Sequence, residues 1–305
     1  MFVAVNDPAI ENDIRKYDYE MPDVRMPHPL FTFTEVSRAM VDYAALKAAT
    51  PLLNRIPRVK GINPVLVLPG LATGDQVTKP LRRFLASKGF RVYGWRLGIN
   101  RGPATVGFDG RHIVERVQRI YDRWGEPVSL VGWSLGGMIA RELSKLHPDH
   151  VRMVITLGSP ICGVPNVSTV TWLYELLSGH KPPMDEAMCQ HIARPSTDVP
   201  CTSVFSYSDG IVPWQNSVQP VTEITENVAV QCSHFGIGLH PAVYYLVADR
   251  LAQAKGGWEP FIADDWRARF FKQVTHVGEV GDQHIEDSRN APGALVDQGV
   301  QAALA

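Results

Sequence analysis

Apolar residues in this chain fall into short continuous runs, separated by stretches in which they recur every three or four positions. The run Val65-Leu66-Val67-Leu68 is apolar on both faces and ends at Pro69-Gly70, which predicts a central strand of a parallel sheet. The pattern then predicts a helix over about 76–88, a strand at 91–95, a helix over about 113–123 and a strand at 128–131. A helix over about 135–146 and a strand at 153–157 follow. Two further strand-like runs, 202–207 and 227–231, precede a helix over about 241–253. Alternation of this kind argues for an α/β fold, a mostly parallel central sheet with helices on both faces.

The rhythm is missing in three places. Residues 1–60 are rich in Pro and poor in strand signals. They carry one amphipathic stretch, 35–49, that predicts a helix stopping before Pro51, and they read as an N-terminal extension packed on a core domain at 61–273. Between about 160 and 200, Pro160, Pro165, Pro182, Pro183, Pro195 and Pro200 surround one helical stretch, 169–177, and an irregular insertion between two strands reads as a small cap over the sheet edge. The tail, 274–305, is polar, weakly patterned and expected to be loosely ordered.

Composition narrows the function classes. The chain has 305 residues, 45% of them hydrophobic, enough to build a real core. With 30 Lys+Arg against 31 Asp+Glu the net charge is −1, so no global field draws in nucleic acid or an anionic membrane, and recognition must be local. The first twenty residues carry acidic groups where a secretory signal needs a basic segment and an apolar run, and no stretch reaches the ~18 apolar residues of a membrane helix. A cytoplasmic protein without stable membrane insertion is expected. Cys162, Cys189, Cys201 and Cys232 form no C-x-x-C pair and read as reduced thiols, with a bridge between Cys189 and Cys201 left open.

One motif carries chemistry. Gly132-Trp133-Ser134-Leu135-Gly136 fits G-x-S-x-G and lies between a predicted strand and a predicted helix. Given the glycine and serine content, chance supplies roughly 0.1 such matches per chain before that context is required. A turn this sharp excludes bulk on both sides of the serine, and glycine meets the demand. Ser134 would sit exposed at the strand tip with a helix N-terminus behind it, where unpaired N–H groups favour developing negative charge.

Two partners follow in chain order. Asp209, in "SYSDGIV", stands just past a predicted strand, either as a plain Asp-Gly turn residue or with its carboxylate raised above the sheet. His234, in "QCSHFGIGLH", stands just past the next strand. His240 is its rival, but it abuts Pro241 at a helix start, where a capping role suffices. Ser134 would attack a carbonyl carbon, His234 would take its proton and return it to the leaving group, and Asp209 would orient the imidazole. The backbone N–H groups of Leu71 and Leu135 are the candidate donors to the oxyanion, the first because Gly70 lets the chain turn toward the site.

The segments "LPGL", "GWSLGG", "SDGIV" and "SHFGIGLHPAV", in that order over about 64–253, resemble the α/β-hydrolase superfamily near its lipase and esterase branch. The resemblance implies an α/β-hydrolase fold and a serine carboxylic-ester hydrolase that uses no cofactor and acts on a small-molecule ester or acyl substrate. "H-F-G-I" resembles the His-x-Gly-Leu context of small bacterial lipases, which favours His234. Many lipases carry His-Gly before the oxyanion donor, whereas Pro69-Gly70 stands here, so that donor is carried over by backbone position alone.

Trp133, beside the serine, and Trp172 and Leu176 in the cap are the candidate substrate-contacting side chains. Trp172, Leu173, Leu176 and Leu177 fall near helical spacing, which serves an acyl-binding underside or ordinary packing equally well. Acyl transfer and thioester hydrolysis use the same three residues, and a catalytically silent binding protein of this fold is the alternative from another class. Scattered histidines offer no metal site, and "GLATGD" lacks the Lys-Ser/Thr ending of a phosphate loop.

Overall fold

A computed structural model describes residues 24–59, 64–162 and 186–274. Seven strands form one sheet in the order β2-β1-β3-β4-β5-β6-β7. The strands β1 (Pro64–Leu68), β2 (Arg91–Gly94), β3 (Val128–Trp133), β4 (Val151–Leu157), β5 (Cys201–Phe205) and β6 (Thr225–Val230) run parallel, and β7 (Phe271–Gln273) closes the edge antiparallel to β6. The mostly parallel sheet is the one expected from the sequence.

Strand period dictates the two cores. In β1, Val65 and Val67 point into one apolar layer and Leu66 and Leu68 into the other. The first layer is completed by Leu81 and Leu85 of α2 (Asp75–Ser87) and by Val243, Leu246 and Val247 of α7 (Pro241–Ala252). The second contains Val106 of the short α3 (Pro103–Val106), Ile113, Val117 and Ile120 of α4 (Arg111–Trp124), and Ile139 and Leu143 of α5 (Leu135–Leu146). Each such side chain, taken wholly out of water, contributes about 1.5–3 kcal/mol.

Two expectations about the N-terminal helix need correction. The N-terminal helix, α1 (Pro29–Asn54), starts well before 35 and runs one turn past Pro51. Pro51 lies inside the helix, where its missing N–H removes one hydrogen bond and its ring crowds the carbonyl four residues earlier, a disturbance confined to the last turn. Nor is α1 amphipathic in the usual sense. Its buried line is Glu35, Asp42, Leu46 and Leu53, while Phe33, Val36, Met40 and Val41 are exposed. The reading of the cysteines as reduced thiols agrees with Cys162, Cys201 and Cys232, which are buried and free, and the bridge left open between Cys189 and Cys201 is not made.

β7 and α6 (Glu186–Ala193) were not anticipated. The helix expected over 169–177 lies outside the described residues, as do Trp172, Leu173, Leu176, Leu177 and the tail beyond 274. No described helix is long and apolar enough to cross a membrane.

The chain steps from β1 outward to β2, then returns to the other side of β1 as β3. The sheet order therefore reverses between β1 and β3, and the crevice beyond the C-terminal ends of such strands is where open α/β sheets bind ligands. Leu68 pairs with Gly132 across that junction. The loop after β1 and the turn after β3 consequently emerge side by side.

Candidate active site

Ser134 joins β3 to α5 at φ 52° and ψ −121°, a positive-φ conformation that costs a non-glycine residue on the order of 1–3 kcal/mol. Its neighbours explain why glycine brackets it. A Cβ on Gly132 would overlap the Gly136 carbonyl, and one on Gly136 would come within 2.5 Å of the Leu68 carbonyl oxygen. The Ser134 N–H donates to the Leu157 carbonyl at 2.9 Å, which ties the turn to the end of β4.

The loop after β1 lies against this turn. A Cβ placed on Gly70 would stand 3.4 Å from the Ser134 Cβ. Leu71 follows at the start of a tight turn in which the Thr73 N–H and Oγ1 both donate to the Gly70 carbonyl, at 3.3 and 2.8 Å. Asn100, wholly buried, fastens that turn from outside. Its Nδ2 donates to the Pro69 carbonyl at 2.8 Å, its carbonyl accepts from Ala72 at 2.7 Å, and its own N–H donates to Thr73 at 2.8 Å. On the other side, Leu135 is the first residue of α5, and its N–H has no carbonyl of its own helix to donate to.

Asp209 and His234, from the loops after β5 and β6, meet with Asp209 Oδ2 2.6 Å from His234 Nδ1. Both are buried, at 3% exposure each. Asp209 Oδ1 accepts from the N–H groups of Ile211 and Val212 at 2.8 and 2.7 Å, so the carboxylate is fixed before it meets the ring. A proton on Nδ1 donated to Asp209 leaves Nε2 as the ring's basic nitrogen. Gly158 connects this pair to the serine. It follows Leu157, which holds the Ser134 N–H, and a Cβ built on it would lie 3.2 Å from Asp209 Oδ2 and 3.3 Å from His234 Nδ1.

Burial acts to lower the His234 pKa, but the charge and hydrogen bond of Asp209, with a further contribution from Glu35, outweigh it and raise the value above that of a free imidazole. The Trp133 indole N–H donates to the His234 carbonyl at 3.2 Å, and its ring lies 6.2 Å from the imidazole. His240 is elsewhere employed: its Nδ1 accepts from the Ala242 N–H at 3.2 Å as the N-cap of α7. Among the described residues no three His, Cys, Asp or Glu side chains group to hold a metal ion. A separate apolar cavity of about 830 Å³, lined by Leu52, Ile56, Tyr245, Trp266 and Phe270 among others, contains neither Ser134 nor Asp209 nor His234.

Three residues around this site were not anticipated: Asn100, Glu35 and Asp42. Glu35 and Asp42 lie seven positions apart on one face of α1, a spacing visible in the sequence once the helix is known. No comparable signal marks Asn100.

Residues 63–180 match a family model described as the alpha/beta hydrolase fold. Over 56 residues, 18% of this chain and 22% of the relative, the sequence is 29% identical to a pimeloyl-[acyl-carrier protein] methyl ester esterase of Klebsiella pneumoniae (strain 342). Among solved structures, Aspergillus fumigatus lipase B aligns with a TM-score of 0.51 at 20% identity, covering 65% of this chain and 54% of the lipase. A Bacillus licheniformis lipase in its propeptide form aligns with a TM-score of 0.48 at 16% identity, over 68% of this chain and 54% of that one. The matches thus span about a fifth of the esterase and about half of each lipase. Taken with the sheet order, the family model matched over residues 63–180 and the likeness to the first lipase show that this chain has the α/β-hydrolase fold.

Proposed function

We propose that the chain is a serine hydrolase that cleaves small-molecule carboxylic esters through an acyl-enzyme. The observation that carries this reading is the 2.6 Å contact between Asp209 and His234, made beside a serine held at positive φ. In the first half-reaction Ser134 Oγ attacks the ester carbonyl while His234 Nε2 takes the hydroxyl proton. The tetrahedral oxyanion accepts from the N–H groups of Leu71 and Leu135, and collapse expels the alcohol with the proton held by His234. In the second half-reaction His234 takes a proton from water, hydroxide adds to the acyl carbon, and the carboxylic acid leaves with Ser134 restored. Asp209 keeps the imidazole in the required tautomer and stabilises its cation. Acyl esters of the type named for the Klebsiella relative fit this chemistry as a class.

The test is hydrolysis of p-nitrophenyl esters from acetate to palmitate, with Ser134→Ala measured in parallel. Turnover in the wild type that vanishes in the variant supports the reading. A wild-type protein that is inert on every ester and unlabelled by a fluorophosphonate overturns it in favour of a binding role.

A further inference from the structure

Glu35 is a charged side chain from the N-terminal helix, 2% exposed, that reaches the two loops carrying Asp209 and His234. Its Oε1 accepts from the Gly210 N–H at 2.8 Å and from the His234 N–H at 3.2 Å, and its Oε2 accepts from the Phe235 N–H at 3.1 Å. One carboxylate thus binds the residue after the acid, the histidine itself and the residue after the histidine. Arg38 supplies the countercharge at 2.7 Å and extends the brace, with its guanidinium donating to the carbonyls of Ser208 at 2.8 Å and Phe31 at 2.9 Å.

Neighbouring contacts repeat the pattern. Asp42 Oδ2 accepts from the Ser233 N–H at 3.0 Å and from the Ser233 hydroxyl at 2.6 Å, and Thr32 Oγ1 donates to the Gly210 carbonyl at 2.7 Å. The loops are shaped for the helix: a Cβ on Gly210 would overlap the Phe31 backbone, and one on Gly236 would overlap Asp42 Oδ2. Burying a carboxylate is costly unless it is paired and hydrogen-bonded. A helix needing only adhesion to the core would bury leucine at these positions.

We propose that Glu35 is a positioning residue for the proposed hydrolysis, tying the loop after β5 to the loop after β6 so that Asp209 and His234 are held in contact. The inference rests on the reading of those two residues as acid and base. Its charge has a second effect. The charged groups around the imidazole are Asp209 from the loop after β5 and Glu35 from α1. Asp42, also from α1, lies one residue along at Ser233 and faces His240, and Arg38 is the cation paired with Glu35. Glu35 adds to Asp209 in favouring the imidazolium, against the burial of the ring.

Two variants separate geometry from charge. Glu35→Gln keeps the shape but turns an amide N–H₂ toward one of the N–H donors and removes the charge. Glu35→Asp keeps the charge but is one methylene short of spanning both loops. For Glu35→Gln we expect kcat to fall by about 10- to 100-fold with little change in KM, since displacement of a catalytic group by a fraction of an ångström acts on the chemical step. The acidic limb of its kcat/KM profile should move to lower pH. For Glu35→Asp we expect a similar fall in kcat with the acidic limb unmoved. The His234 pKa is read independently of turnover by NMR titration of its ring Cε1–H, assigned with His234→Gln.

A folded Glu35→Gln with wild-type kcat and an unshifted imidazole overturns the proposal. If that variant does not fold, Glu35→Asp decides: wild-type kcat overturns the proposal, and a reduced kcat with a wild-type imidazole pKa supports it. A wild type inert on all esters, whose His234 pKa nevertheless falls in Glu35→Gln, defeats the hydrolase reading while leaving the tie between the loops standing. A wild type that hydrolyses esters while both variants match it defeats only the tie.

Discussion

The Asn100 Nδ2 donates to the carbonyl oxygen of Pro69 at 2.8 Å, so the side chain of one buried residue fixes the segment that precedes Leu71. In the proposed mechanism an oxyanion donor must already point at the charge before it develops, because reorganising it during the reaction would add to the barrier. Asn100→Ala should therefore lower kcat by up to about 10²-fold, the magnitude associated with loss of one oxyanion donor. Steady-state kinetics on a p-nitrophenyl ester decide this, and an unchanged kcat would show that the turn holds itself.

The two histidines near the end of the sheet should behave oppositely. His234→Ala should lose on the order of 10⁴ in kcat, whereas His240→Ala should keep most of its activity and lose about 1 kcal/mol of stability as a missing N-cap. Kinetics and thermal melts of both variants provide the check. Strong inactivation by His240→Ala alone would reverse the assignment.

The direction of the His234 shift sets the pH dependence. In the proposed mechanism His234 must be neutral to accept the serine proton, and its pKa lies above the ordinary imidazole value because Asp209 and Glu35 outweigh the effect of burial. The rate kcat/KM should therefore rise with pH through a midpoint above about 6.5. A midpoint below that value would mean that desolvation dominates.

Glu142, on α5 behind the serine, is buried at 1% exposure and is held by Lys145 Nζ at 2.6 Å and His191 Nε2 at 2.8 Å. Burial works to raise its pKa, but those two partners bring it down to about 2. Its folded value is depressed, so its contribution to stability is present above the unfolded carboxylate range and is lost as pH falls toward 2. Glu142→Gln should cost about 3 kcal/mol at pH 7, because a buried ammonium loses its countercharge. The deficit relative to wild type should shrink on acidification below about pH 4.5. Urea melts across that range test it, and a deficit independent of pH would assign the loss to packing.

What the sequence showed and what it hid divide along a physical line. The serine turn was legible because its constraint is local: Gly132 and Gly136 are demanded by atoms within a few residues or by the adjacent strand. Leu135–Leu146 was read to its ends because apolar period and boundary agree. The N-terminal helix was misjudged because apolar period assumes that buried means apolar. In α1 the inward positions 35 and 42 hold carboxylates that, besides Arg38 beside Glu35, accept hydrogen bonds from groups more than 170 positions away, and no periodicity encodes that. β7 was missed for a simpler reason, since three residues, two of them exposed, carry too little pattern to be seen.

The separation between Glu35 and its partners, 175 positions to Gly210 and 199 to His234, bears on how the molecule is made. The helix that braces the two loops leaves the ribosome well before the loops do. Contacts of such sequence separation form late in folding, because closing a long stretch of chain costs entropy before any bond repays it. During refolding from denaturant, helical and core signals should accordingly return ahead of ester turnover, with a compact but inactive species accumulating between them.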